Sequence, residues 1–312
     1  MIKEDFIEFK DCNLCPRSCH IDRNNDLGFC KESNRLSIAS FLKHFGEEPP
    51  ISFKNGSGTI FFTGCSLRCP FCQNIQISQN VKQKNYYTTD EFIKIMVKLI
   101  ENGAENINFV TPDHFLPHII EGIVYLKKNN YNVPFIYNCS GYQSLKNLEI
   151  AIDYIDIFLF DYKFAETEAS KYCLGITDYP EICEKGLKFI LKNRGNLKLN
   201  SEGKAISGTI VRHLVMPDFI ENSLKIINNL FFDYGGDLYI SLMSQYSPSF
   251  LRNGFERINR RVKKHEYDEV VNLVNALGFK NGYIQEYIDY DDEYLPDFSD
   301  TDIFKQEGKN DL

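Results

Sequence analysis

What this sequence lacks narrows its function before any motif is read. No stretch approaches 18 consecutive apolar residues, so a membrane-spanning helix is not expected. Positive charge is not in excess: 35 Lys and Arg stand against 43 Asp and Glu, for a net charge of −8. No segment is basic enough to track a phosphate backbone, which disfavours a nucleic-acid-binding protein. The opening residues, Met1 to Lys10, hold acids and no apolar stretch, unlike a secretory leader. The expectation is a cytoplasmic protein with neither a membrane nor a nucleic-acid partner.

Cysteine, by contrast, is plentiful. Seven of the ten cysteines fall between Cys12 and Cys72. In a reducing compartment such clustering points to metal binding or redox chemistry rather than disulfides. The other three, Cys139, Cys173 and Cys183, are scattered and read as small buried hydrophobes.

The 312 residues are 43% apolar, enough for a sizeable core. Residues 1–50 read as a Cys-rich metal-binding lobe with little periodicity, closed by Pro49-Pro50. Residues 51–288 alternate short apolar strands with amphipathic helices, the pattern of a parallel sheet covered by helices. Strands are expected at TIFFT (59–63), NFVT (108–111), PFIYN (134–138), DIFLFD (156–161), AISGTIVRH (205–213) and DLYISLM (237–243), with a further one near Tyr283. Six β/α units are too few to close an eight-stranded barrel, so the expected fold is α/β, a partial (β/α)6 TIM-like barrel. Residues 289–312 form an acidic tail, expected to be loose and solvated.

Polar residues gather where the strands end: Cys65, Thr111, Asn138, Asp161, Arg212-His213 and Gln245. In a parallel β/α barrel that edge carries the site. Between Cys65, Cys69 and Cys72 the spacing is C-x3-C-x2-C. Chance would give it about once in a hundred such sequences at this cysteine frequency. Three thiolates on one loop can bind three irons of a cubane cluster and leave the fourth iron free for another ligand. Zinc is the competing reading, with His44 or His114 as the fourth ligand. A second set, Cys12, Cys15, Cys19 and Cys30, can staple the first lobe around zinc or an iron–sulfur cluster, and spacing alone does not separate the two.

These residues carry a resemblance. The loop GCSLRCPFC after a first strand resembles that of the radical S-adenosylmethionine (SAM) enzymes. The blocks CNLCPRSCHIDR, LGFC, FTGCSLRCPFCQN, NFVTPDH, YNCSGY, FLFDYKF, GTIVRHLVMP and LMSQY are similar to a branch of iron–sulfur proteins that resemble pyruvate formate-lyase activating enzymes. The resemblance implies a 4Fe-4S cluster on Cys65, Cys69 and Cys72, with SAM on the open iron and Phe71 near its adenine. It also suggests an extra cluster at the N-terminal cysteines. Where the superfamily commonly has GGEP, this chain has Thr111-Pro112-Asp113-His114, and Thr111 or Asp113 is expected to accept from the methionine ammonium. Asp161-Tyr162-Lys163 resembles the D-x-K motif of glycyl-radical activating enzymes, both charges facing one way from the strand.

The remaining expectations come from position. Asn138 and Ser140 should meet the ribose or carboxylate, and Gln245 with Tyr246 the adenine side. Arg212 should grip a carboxylate of cofactor or substrate bidentately, with His213 behind it. The implied function is reductive cleavage of SAM to a 5′-deoxyadenosyl radical for hydrogen abstraction, activating a glycyl-radical enzyme and drawing its electron from flavodoxin or ferredoxin. The alternatives are a radical enzyme acting on a small molecule or another peptide or protein, and a non-catalytic iron–sulfur electron-transfer protein.

Overall fold

The computed structural model describes residues 6–251, 253–287, 295–300 and 303–304. Its strands, in chain order, are β1 (Leu36–His44), β2 (Ser57–Phe62), β3 (Tyr86–Tyr87), β4 (Ile107–Val110), β5 (Phe135–Cys139), β6 (Ile157–Asp161), β7 (Lys198–Leu199), β8 (Ala205–Leu214), β9 (Tyr239–Met243) and β10 (Asn281–Ile284). They form one sheet in the order β10-β9-β8-β6-β5-β4-β2-β1-β3, with β7 alongside β8. From β2 to β10 every neighbouring pair along that order is parallel. The sheet does not close on itself, so the architecture is the expected partial barrel. Among the described residues the parallel strands are the six expected and β10, which forms at the further strand expected near Tyr283.

Helices appear where the sequence carries both an apolar stripe and a stop or start signal. Thr88 and Glu91 form a capping box for the helix Thr89–Glu101, whose buried face is Phe92, Ile93, Met96 and Leu99. Ser144 caps Leu145–Ala151 by accepting from Asn147 N at 3.2 Å. Gly278, at φ +84°, ends Lys264–Leu277. The helix Thr167–Leu174, which holds Cys173, has no counterpart in the sequence reading.

Alternation along the strands divides the sheet into two faces. Phe109, Phe135, Tyr137, Phe158 and Phe160 point outward into the main core beneath the helices. Ile136, Ile157, Leu159 and Ile210 point inward and, with Ile51 from the segment between β1 and β2, fill the barrel floor. Above that apolar floor the inward positions turn polar, and the site begins there.

Two boundaries differ from expectation. The N-terminal lobe is shorter than 1–50, because Leu36–His44 is an antiparallel strand of the main sheet, paired with β2. A register shift between Ile38 and Ser40 breaks its alternation, which is why it did not read as a strand. Residues 289–294 of the acidic tail lie outside the described residues. Phe298 and Phe304 pack against Phe61 and His44, so this part of the tail is docked rather than loose.

Candidate radical site

The cysteine loop leaves β2 at Gly64, whose φ of +75° turns the chain over the strand end. Cys65, Cys69 and Cys72 are shielded from solvent, and each thiol lies within electrostatic reach of at least one of the others. Burial pushes Cys65 up to about 11 and raises Cys69 and Cys72 as well. Such thiols ionise readily only when a cation takes the proton's place. Donors already face the sulfurs: Leu67 N to Cys65 Sγ at 3.3 Å and Ser78 Oγ to Cys72 Sγ at 3.4 Å. Among the described residues no three His, Cys, Asp or Glu side chains converge as a single metal ion requires. A cubane does not need that convergence, since each thiolate sits on a different iron. Three thiols on one loop, two buried and one half-buried, with N–H and O–H donors therefore fit an iron–sulfur cluster. His114 is not placed as a fourth ligand, because its Nε2 donates to Thr63 O at 2.7 Å.

Asp161 ends β6, and Lys163 Nζ lies 2.5 Å from its Oδ2. Burial alone would lower the lysine. Asp161 and the thiols of Cys69 and Cys72 outweigh it and hold the ammonium well above its ordinary value. The pair thus stands beside the cysteine loop, as the sequence suggested.

Thr111 follows β4 with φ +57°. That is a left-handed conformation a β-branched residue rarely adopts, and it lies where the superfamily commonly has glycine. Asp113 is fully enclosed. Its carboxylate accepts from Tyr137 OH at 2.9 Å and Gln143 Nε2 at 3.2 Å, and burial pushes it up to about 6. The Gln143 amide also reaches Ser140 Oγ at 3.4 Å.

Arg212 does grip a carboxylate bidentately, but it is this chain's own. Nε and Nη2 meet Glu48 Oε1 and Oε2 at 2.8 and 2.5 Å, and Nη2 also pairs with Glu47. Asn138 Oδ1 accepts from Arg212 Nη1 at 3.4 Å. Neither acid was singled out in the sequence; the signal available was two adjacent carboxylates directly before Pro49-Pro50. His213 sits behind, as expected, donating from Nδ1 to Tyr162 O and accepting from Ser223 at Nε2, both at 2.8 Å.

On the remaining side Phe71 meets Tyr246, ring centroids 5.9 Å apart. Gln73 Nε2 reaches Gln245 O at 3.5 Å, and Gln285 Nε2 donates to Gln245 Oε1 at 3.1 Å. The residues expected near an adenine are therefore neighbours, joined by Gln73 and Gln285, which sequence reasoning missed. Cys139, Cys173 and Cys183 are buried in the core.

The N-terminal lobe packs directly onto this loop. Arg17 Nε donates to Ser66 O at 3.0 Å, and the wholly buried Arg23 donates to His114 O at 2.6 Å. Cys12, Cys15 and Cys30 are buried, and Cys19 is partly exposed. Cys15 lies within electrostatic reach of Cys12 and Cys30, and also of Asp113, which faces Cys65 as well. Burial pushes Cys15 up to about 12.

Residues 59–184 match the family model of the Radical SAM superfamily, a stretch that begins in β2 and contains the three-cysteine loop. Over those residues the chain carries a Radical SAM domain, which supports membership of the superfamily and, with it, a 4Fe-4S cluster and SAM. An uncharacterized protein of Methanocaldococcus jannaschii, MJ0674, is 28% identical over 271 residues, covering 85% of this chain and 74% of that protein. Among solved structures, SuiB of Streptococcus suis bound to S-adenosylmethionine is 12% identical with a TM-score of 0.47, over 71% of this chain and 48% of that one. A second structure of SuiB of Streptococcus suis gives 11%, 0.49, 72% and 47%. The chain spans just under half the length of SuiB. Among the described residues no helix is long and apolar enough to cross a membrane.

Proposed function

We propose that the protein reductively cleaves SAM and directs the resulting radical to hydrogen abstraction from a further substrate. The observation that carries this reading is the placement of Cys65 and Cys69, buried, and Cys72, half-buried, at the C-terminal ends of the parallel strands beside the Asp161–Lys163 pair. When bound, the cluster supplies one electron to the sulfonium, which yields methionine and a 5′-deoxyadenosyl radical. The chain's own residues orient and shield. Asp161 and Lys163 offer one acceptor and one donor to the polar ends of SAM. Phe71 and Tyr246 offer aromatic surface to the adenine, with Gln245 at its edge. Burial of the thiols keeps water from the reacting centre.

Within this reading the substrate is the glycine of a glycyl-radical enzyme, supported by the D-x-K pattern at Asp161 and Lys163, and the electron comes from flavodoxin or ferredoxin. The N-terminal cysteines hold an auxiliary iron–sulfur cluster. Anaerobic reconstitution with iron, sulfide, dithionite and SAM tests the whole. The reading expects 5′-deoxyadenosine and about eight irons per chain. Four irons and one zinc would reassign the N-terminal site. No 5′-deoxyadenosine would leave a non-catalytic iron–sulfur protein. Paramagnetic resonance with a glycyl-radical partner decides the substrate: a glycyl doublet supports activation, and its absence moves the substrate to a small molecule or another peptide. That second reading draws on the polar layer inside the barrel.

A further inference from the structure

The polar layer above the barrel floor holds one more negative charge than it neutralises. Arg212 is spent on Glu48, which it grips through two nitrogens, and its Nη2 is shared with Glu47. One guanidinium therefore faces two carboxylates. The other contacts of Glu47 are neutral amides, Asn108 Nδ2 at 2.7 Å and Asn138 Nδ2 at 3.5 Å on Oε1. His44 is within electrostatic reach, and burial lowers it from its ordinary value. Asp161 and Lys163 pair with each other and leave no charge over. Among the described residues no second cation pairs with either glutamate.

A separate observation points the same way. Asn108 is wholly buried on the inner face of β4. Its Nδ2 donates to Glu47, while its Oδ1 accepts from no donor among the described residues. An unmet buried acceptor beside a carboxylate that must share its one cation with a second carboxylate is costly on both counts. A water can satisfy the first but not the second. A nitrogen cation, with several N–H donors and a positive charge, satisfies both.

The layer is also well placed. Arg212 is the register partner of Asp161 across β6 and β8, so the glutamates lie next to the pair that stands beside the cysteine loop. The side chains of Arg212 and Glu47 remain 11% and 9% exposed, so solute reaches the layer at Glu47, with Asn108 wholly buried behind it.

We propose that Glu47, together with Asn108 Oδ1, forms a subsite for a cationic nitrogen group, an ammonium or guanidinium brought by the molecule on which the radical acts. The inference rests on the proposed function for the identity of that molecule, but not for the binding itself. The shared chemistry has a second source, the α-ammonium of SAM.

The test is binding to the anaerobically reconstituted full chain. The probes are n-butylamine, n-butanol and butyrate, matched in shape and differing in charge, read by thermal shift and by hydrogen exchange over residues 44–53. SAM affinity is measured in parallel by equilibrium dialysis. Glu47→Gln keeps an acceptor toward Asn108 Nδ2 but removes the charge and the oxygen that Arg212 Nη2 meets. Glu47→Asp restores the charge on a shorter arm. Iron content and melting temperature show that each variant is folded and loaded. The wild type should bind the amine in preference to the alcohol and the acid. Glu47→Gln should weaken the amine about tenfold or more, the loss of a charge-assisted hydrogen bond, and Glu47→Asp should recover part of it. If Glu47→Gln weakens SAM and the amine does not bind, the cation held is the ammonium of SAM, and the assignment to the molecule on which the radical acts is overturned. Equal responses to amine, alcohol and acid overturn the proposal. So do an amine response and a SAM affinity that Glu47→Gln leaves unchanged. Whether the wild type forms 5′-deoxyadenosine is scored separately, so failure of the proposed chemistry is distinguishable from failure of the subsite.

Discussion

Gln76 holds the C-terminal segment by both ends of its amide: Nε2 donates to Asp297 Oδ1 at 3.2 Å, and Oε1 accepts from Phe298 N at 2.8 Å. Gln76 lies on the short helix Ile75–Ser78, directly after the cysteine loop. The clasp brings Phe298 to 5.3 Å from Phe61, on the inner face of β2, and Phe304 to 4.2 Å from His44. The C-terminal segment thus covers part of the inner wall next to the radical site, and a protein-sized substrate entering there must move it. Deleting residues 295–312 should raise hydrogen exchange across residues 59–62 and in the loop of Cys65, leaving the outer helices unchanged. Gln76→Ala should give a weaker form of the same pattern, at a cost of about 1 kcal/mol in stability. Unaltered exchange at β2 in both variants would show that the contact holds nothing in place.

Gly64 couples the two cysteine sites by proximity. A Cβ there would come within 2.6 Å of Cys30 O and of the Glu32 side chain, and φ is +75°. Backbone stands on one side of the clash, so relief requires the N-terminal lobe to shift off the loop. Gly64→Ala should therefore destabilise by roughly 1–3 kcal/mol through backbone strain, and more through the clash. Metal content measured after reconstitution should fall at both sites together. Loss confined to the loop of Cys65, Cys69 and Cys72 would contradict the coupling.

The Asp161–Lys163 pair is only partly exposed, so removing one partner leaves the other charged and poorly solvated. Lys163→Met leaves Asp161 unpaired within electrostatic reach of Cys69 and Cys72. Three thiolates beside an unpaired carboxylate are harder to reduce by one electron, so the cluster potential should drop. SAM affinity should fall about tenfold or more with the lost donor. Asp161→Asn should move the potential the opposite way. Potentiometric titration followed by paramagnetic resonance reads both, and shifts of the same sign would contradict the electrostatic account.

What could be read in the sequence was whatever the chain encodes locally. The spacing of Cys65, Cys69 and Cys72 and the alternation from Asp161 to Lys163 each fix a geometry within eight residues. So does the glycine stop at Gly278. The parallel strands were legible because helices cover one face and the barrel interior takes the other. What failed was long-range pairing. Arg212 carries the pattern of a carboxylate grip, yet its partner Glu48 lies 164 residues earlier, and nothing local distinguishes a glutamate of the same chain from a ligand. Gln73 with Gln245, and Gln76 with Asp297, are of the same kind. β1 was missed for a different reason: its irregularity near Ile38 destroys the alternation that marks a strand.

Three buried histidines make stability pH-dependent. His118 donates from Nε2 to Asn34 O and accepts from Thr89 at Nδ1, both at 2.9 Å. His213 and His114 likewise donate to carbonyls, those of Tyr162 and Thr63. Burial lowers His118 and His213 to about 4 and His114 to about 3, against an ordinary value of 6.5. Between pH 6.5 and about 4 the unfolded chain therefore binds protons at these positions that the folded chain refuses. Their stabilising effect is complete above pH 6.5 and is lost as pH falls. Asp113 acts in the opposite sense. Burial raises it from 3.8 to about 6, so the folded chain holds a proton there that the unfolded chain releases. Its contribution is present below pH 3.8 and is lost as pH rises through about 6. Near pH 5 the balance is roughly two protons in favour of unfolding, a loss on the order of 2–3 kcal/mol per pH unit. Urea midpoints between pH 7 and pH 4.5 should fall accordingly. His213→Gln, which cannot be protonated, should reduce the slope by about 1.4 kcal/mol per pH unit. A midpoint that does not change with pH, or a slope unaltered in that variant, would show that His213 is not held neutral in the folded chain.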